Sequence, residues 1–223
     1  MHKAVIVSTK LLPVALRDRI VQNGFGYVEY NAIRITPVAF EMPNPTDYVI
    51  FSSQNATKIV LENPHTLEQS KLLCVGKQSE KLLIEKGIKP LKTGQNMAEL
   101  VSFIEKLPEN ASFLHFCGNR RLPLLATKMS AWQRNFSEVV VYQTELNPKQ
   151  LGSTADALLF FSPSGVESHE KSNSIHDSVC FCIGNTTASV FTQNPKEVHV
   201  AEKPDAALLV AKAIQYLKTK QHA

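Results

Sequence analysis

Four short turns in this chain carry residues suited to holding an anion. Ser52-Ser53-Gln54-Asn55 and Ser162-Pro163-Ser164-Gly165 each close an apolar run, and Gly76-Lys77-Gln78-Ser79 and Gly184-Asn185-Thr186-Thr187 each close a later one. A strand end that opens a helix leaves backbone N–H groups without intrahelical acceptors, and such groups donate to carboxylates or phosphates. Serine or threonine can also sit there only as a helix cap, which needs no ligand. The four turns form two pairs of similar spacing: Phe51 to Gly76 spans 76 − 51 = 25 and Phe161 to Gly184 spans 184 − 161 = 23. Recurrence in pairs implies two similar halves and favours binding over capping alone.

Two other groups could add chemistry. Cys117-Gly118-Asn119-Arg120-Arg121 follows an apolar run directly, so both guanidinium groups start from one sheet edge, where they suit carboxylates or phosphates. The alternative is one arginine in solvent and one in an internal ion pair. Tyr142 could offer its hydroxyl to a ligand or pack on its neighbours. Ser164 lacks the GxSxG context of a hydrolase nucleophile. His115 lies inside a strand-like run, while His169 and His176 fall in a polar, loop-like segment; with no HExxH spacing, each reads as a surface or satisfied histidine. There is no GxGxxG and no Walker sequence, so the expectation is a site with no metal and no organic cofactor.

Strands and helices alternate along the chain and must position these turns. Strand candidates are 4–8, 27–35, 48–51, 72–75, 112–117, 138–144, 157–161, 179–183 and 198–200; several are continuous apolar runs, as in parallel strands buried on both faces. Helix candidates are 13–23, 76–86, 97–107 and 204–218, bounded by Gly24, Gly87, Pro108 and Pro204. The segments 27–35 and 138–144 mix polar with apolar residues and run into prolines, so they read as two linkers. Residues 147–223 hold only three strand candidates, and recruiting the N-terminal strand and helix would complete their sheet. The expected division is 1–35 plus 147–223 as one discontinuous α/β domain and 38–139 as an inserted one, with linkers near 27–38 and 138–146.

Composition narrows the function. The 223 residues carry a net charge of +4, with 43% hydrophobic and 20% charged residues, which is ordinary for a globular protein. Lysines are scattered and aromatic residues are not interleaved with them, which argues against nucleic acid. No run approaches the ~18 apolar residues that span a bilayer, and the N-terminus lacks a signal-peptide pattern, so no membrane association is expected. Cys74, Cys117, Cys180 and Cys182 form no CxxC pair and read as reduced core thiols of a cytoplasmic protein.

Together these phrases resemble the uroporphyrinogen-III synthase family. The resemblance runs nearly end to end through Phe51-Ser52-Ser53-Gln54-Asn55-Ala56, Cys74-Val75-Gly76, Gly118-Asn119-Arg120-Arg121, Val141-Tyr142-Gln143-Thr144, Phe161-Ser162-Pro163-Ser164-Gly165-Val166 and Ile183-Gly184-Asn185-Thr186-Thr187-Ala188. It implies two parallel-sheet α/β domains joined by a two-stranded linker ladder, with a substrate cleft between them. It also implies cofactor-free dehydration and cyclisation of hydroxymethylbilane, a linear tetrapyrrole with eight carboxylates, with inversion of ring D. On that reading the substrate-binding residues are Ser53, Gln54, Asn55, Gly76, Lys77, Ser79, Gly118, Asn119, Arg120, Ser162, Pro163, Ser164, Gly165, Gly184, Thr186 and Thr187. Tyr142 matches the family's VYQT tyrosine and is the expected catalytic group. Asn185 stands where the family pattern has proline. A monomer is expected, and the alternative is a catalytically silent binding module for an anionic metabolite.

Overall fold

The computed structural model describes residues 3–62, 67–152 and 155–221. In chain order, β1 (Val5–Ser8), α1 (Val14–Gln22) and β2 (Gly26–Glu29) precede β3 (Ile33–Pro37). There follow β4 (Tyr48–Phe51), α2 (Gln54–Val60), β5 (Lys71–Val75), α3 (Lys77–Glu85), β6 (Lys92–Gly94), α4 (Met97–Ile104), β7 (Ser112–Gly118), α5 (Leu124–Ala131) and β8 (Asn135–Leu146). The chain ends with β9 (Ala157–Phe160), α6 (Pro163–Glu170), β10 (Val179–Cys182), α7 (Asn185–Ala188), β11 (Glu197–Val200) and α8 (Ala206–Gln221). It divides into two compact units, one of Met1–Arg34 with Glu145–Ala223 and one of Ile35–Thr144.

In the discontinuous unit the sheet order is β11-β10-β9-β1-β2, with every neighbouring pair parallel. β1 therefore sits inside the sheet, not at its edge, with Ile6 against Ala157 and Ser8 against Leu159. Asp156 fastens its start by accepting the Val5 N–H at 2.7 Å. β9 and β10 are buried at every position, because helices cover both faces. One face packs Ile6, Leu159 and Phe181 under Ile20 of α1 and Leu209 and Ile214 of α8. The other packs Val7, Phe160 and Cys180 under Val166 of α6.

The inserted unit repeats this plan with the order β3-β8-β7-β4-β5-β6, parallel from β8 to β6. Val49, Phe51, Leu114 and Phe116 pack with Ala56 and Val60 of α2 and Leu83 of α3. Tyr48, Ile50 and Phe113 pack with Leu100 and Ile104 of α4 and Leu125 and Met129 of α5.

Three expectations need correction. The single strand 27–35 is two strands, because Tyr30 and Ala32 are drawn into the core between them and their N–H groups donate to the Ser8 and Thr9 carbonyls. β6 and α5 carried too little periodicity to stand out; α5 begins only after Pro123, leaving Arg120 in a turn and Arg121 in the irregular segment that follows it. His169 is not in a polar loop but in α6, 1% exposed, with Nδ1 2.9 Å from the Tyr30 hydroxyl. Burial pushes the Tyr30 phenol up to about 12, so Tyr30 donates and the imidazole accepts.

Burial also holds His169 down to about 4, against an ordinary 6.5. The unfolded chain takes up this proton first, so the stability contributed above pH 6.5 drains away as pH falls toward about 4. His169→Gln keeps an acceptor for Tyr30 but cannot titrate. Urea denaturation from pH 7 to 4.5 is expected to show wild type losing stability relative to the variant with a slope approaching about 1.4 kcal/mol per pH unit. Parallel curves would show that His169 does not titrate on unfolding.

Candidate functional site

In each unit the parallel strands deliver their carboxyl ends to one edge, and the four turns lie there. In the inserted unit Phe51 pairs with Cys74, and in the discontinuous unit Phe160 pairs with Cys182. Two residues beyond these pairs stand the helix N-caps: Ser53 and Gly76 in one unit, Ser162 and Gly184 in the other. The structural repeat thus aligns Phe51 with Phe160, not Phe161. The Phe-to-Gly spacings become 76 − 51 = 25 and 184 − 160 = 24, closer than the sequence alignment suggested.

The turns fall into two chemical kinds. Ser53 Oγ accepts the Asn55 N–H and Ser162 Oγ accepts the Gly165 N–H, both at 3.1 Å. These serines are helix caps, as the capping alternative required, and each occupies one N–H that an anion would use. Gly76 and Gly184 supply no side-chain cap, so no hydroxyl of theirs competes for the N–H groups behind them. Gly76 also holds φ +81, a left-handed conformation that glycine tolerates without strain. Of the remaining candidates, Gln54, Pro163 and Ser164 open their helices half-buried, and Lys77 and Thr186 are exposed. Ser79 and Thr187 are buried, directed into the packing rather than outward. Asn185 takes the first helical position, where a backbone N–H has no intrahelical acceptor; proline would remove that donor.

The inserted unit places Tyr142 beside its serine turn. The Tyr142 hydroxyl donates to Ser53 Oγ at 2.9 Å, and burial raises its pKa, with the Ser53 hydrogen bond acting the other way, so it stays a proton-bearing donor at neutral pH. The ring fits only because residue 118 is glycine. A Cβ there would lie 2.7 Å from the Tyr142 hydroxyl and closer still to the ring, at the point where the β7–β8 register slips. Asn119 secures the same place: its N–H donates to the Tyr142 carbonyl and its Oδ1 accepts the Thr144 N–H at 2.8 Å. Arg120 is exposed at this edge.

Sequence reasoning missed the polar cluster behind this turn. His115, 2% exposed, lies between Ser52 Oγ at 2.7 Å from Nε2 and Glu138 Oε1 at 2.9 Å from Nδ1. Arg121 donates Nε and a terminal nitrogen to the other oxygen, Glu138 Oε2, at 2.9 and 2.8 Å. The His115 and Arg121 hydrogen bonds, against the cost of burial, hold the Glu138 carboxyl down to about 2. An ionised Glu138 only accepts, so Nδ1 donates to it, and in the neutral imidazole Nε2 accepts from Ser52. Cys117 lies two residues along the same strand, buried, its thiol pushed up to about 11 by that burial. A histidine interrupting the apolar run Phe113-Leu114-His115-Phe116-Cys117 was the available signal, since a buried imidazole needs partners.

Each unit is thus a doubly covered parallel α/β layer whose polar residues gather at the carboxyl edge. A family model, uroporphyrinogen-III synthase HemD, matches residues 14–211, and the chain belongs to that family, cyclising lyases of porphyrin and heme biosynthesis. Two solved structures share the fold. Uroporphyrinogen-III synthetase from Helicobacter pylori has a TM-score of 0.66 at 19% identity, covering 96% of this chain and 99% of that one. A mutant uroporphyrinogen III synthase from Thermus thermophilus has a TM-score of 0.69 at 16% identity, covering 99% and 100%. No curated protein matches the chain significantly. Among the described residues, no helix is long and apolar enough to cross a membrane.

The contact between Gly118 and Tyr142 is testable by a double-mutant cycle. Gly118→Ala is expected to destabilise by about 1–3 kcal/mol through overpacking. In a Tyr142→Ala background most of that cost should vanish, since the clash is with the ring. Equal costs in both backgrounds would show that another contact demands glycine.

Proposed function

We propose that this chain closes hydroxymethylbilane to uroporphyrinogen III, expelling the terminal hydroxyl and inverting ring D. The observation that carries the residue assignment is the Tyr142 hydroxyl, kept protonated by burial and oriented by Ser53. In this reading Tyr142 hydrogen-bonds or protonates the departing hydroxyl, generating an azafulvene that closes through a spiro intermediate, fragments and recloses. The free substrate cyclises unaided to the uninverted isomer, so the protein's main task is to hold the chain where spiro attack is favoured. Substrate carboxylates are taken by backbone N–H groups at the helix openings, chiefly those behind Gly76 and Gly184, where no side-chain cap competes. Ser53, Asn55, Ser162 and Gly165 shape their turns through capping, while Gln54, Lys77, Asn119, Arg120, Ser164 and Thr186 are offered to substrate. The proposed working form is a cytoplasmic monomer without a cofactor.

Purified protein incubated with hydroxymethylbilane is expected to yield the type III isomer. The type I isomer alone, despite tight tetrapyrrole binding, would instead favour a silent binding module. Tyr142→Phe preserves the ring against Gly118 and should lower kcat by about a hundredfold, the lower end of the ~10²–10⁴-fold range of general acid catalysis. An unchanged kcat would remove Tyr142 from the mechanism.

A further inference from the structure

The cluster of His115, Cys117 and Glu138 has a donor set that the proposed reaction leaves unused. An imidazole, a thiol and a carboxylate come from two neighbouring parallel strands, with His115 directly opposite Glu138 and Cys117 two residues along on the same face. One ligand atom from each lies within 4.8 Å of the others. All three residues are fixed by regular β-structure, so the group is preorganised, unlike a patch of mobile surface carboxylates.

We propose that His115 Nδ1, Cys117 Sγ and Glu138 Oε1 bind a borderline divalent transition-metal ion of the Zn²⁺ type. The combination of thiolate and imidazole selects against Mg²⁺ and Ca²⁺, which take oxygen ligands. Tetrahedral coordination with bonds of about 2.0–2.3 Å sets ligand atoms roughly 3.3–3.6 Å apart. The imidazole–carboxylate pair, now 2.9 Å apart, opens slightly, and the thiol, now 3.7 Å from the Val139 carbonyl and within 4.8 Å of both other ligand atoms, swings in toward them. The ion takes the place of the proton between Nδ1 and Oε1. That proton moves to Nε2, which then donates to Ser52 Oγ, while the thiol proton leaves to solvent. Thiolate and carboxylate balance the ion's double charge, and Arg121 remains on Oε2 as the outer partner that orients the carboxylate. The fourth position is left for water, as in three-ligand zinc sites. Metal binding would therefore reverse the direction of the hydrogen bond to Ser52, the residue adjoining the Tyr142 partner Ser53.

Binding is measured without substrate, so this site stands or falls apart from the reaction proposed above. Titrating the full-length protein with Co²⁺ is expected to give one ion per chain. It should also give a thiolate-to-cobalt charge-transfer band with the visible absorption of a four-coordinate site, both lost on adding Zn²⁺. Cys117→Ser should abolish the charge-transfer band, while Cys74→Ser should keep it. Loss of even an outer partner costs metal sites about 10–100-fold, so Glu138→Gln, which removes a direct ligand's charge, should weaken binding by at least about tenfold. No charge-transfer band in the wild type, or a band that survives Cys117→Ser, overturns the proposal. Should Cys117→Ser fail to fold, X-ray absorption of the zinc-loaded wild type decides: one sulfur at about 2.3 Å is expected, and only nitrogen and oxygen neighbours would refute it.

Discussion

A parallel strand cannot return directly beside itself, so each one ends at the same edge as its neighbours and hands the chain to a crossover helix. In this protein that constraint acts twice, once in each unit. At every such hand-over the first turn of a helix carries N–H groups with no intrahelical acceptor. Serine fills the need at residues 53 and 162, and glycine leaves it open at residues 76 and 184. The alternation separates turns that are internally completed from turns that offer donors outward. The repeat is therefore less a duplication of one site than a pairing of a fixed turn with an open one.

The strand pattern was legible because parallel sheets covered on both faces need unbroken apolar runs, and 48–51, 157–160 and 179–182 are such runs with every residue buried. Where burial was mixed, the sequence read less well. Segment 27–35 looked continuous because Tyr30 and Ala32 fit a strand as readily as a tucked corner, and only their bonds to Ser8 and Thr9 tell the two apart. The offset of the repeat by one residue was hidden for a similar reason: Phe160 and Phe161 are adjacent, and only strand register shows that Phe160 matches Phe51. The partners of His115 were out of reach, since Ser52 and Glu138 lie 63 and 23 residues away in sequence. Nothing local announces such contacts; they follow from the strand order β8-β7-β4.

That strand order also explains how two adjacent serines acquire different tasks. Successive residues leaving a strand point to opposite faces. Ser52 turns toward the α4 and α5 face and meets His115, whereas Ser53 turns toward the α2 and α3 face and meets Tyr142. The turn is thus gripped from both sides of the sheet by hydrogen bonds at 2.7 and 2.9 Å. Removing either grip would leave a polar group unpaired in a mostly buried setting, which costs more than the bond itself contributes.

The same two grips differ in kind. Tyr142 reaches Ser53 because glycine at 118 and a register slip make room for its ring, a steric arrangement that tolerates no side chain. His115 reaches Ser52 through charge: Glu138, ionised and pinned by Arg121, fixes which imidazole nitrogen carries the proton. A steric support responds to volume and is indifferent to pH or ions. An electrostatic one responds to anything that competes for the carboxylate or the imidazole nitrogen. The turn that holds Ser53 for Tyr142 is consequently rigid on one face and open to chemical adjustment on the other.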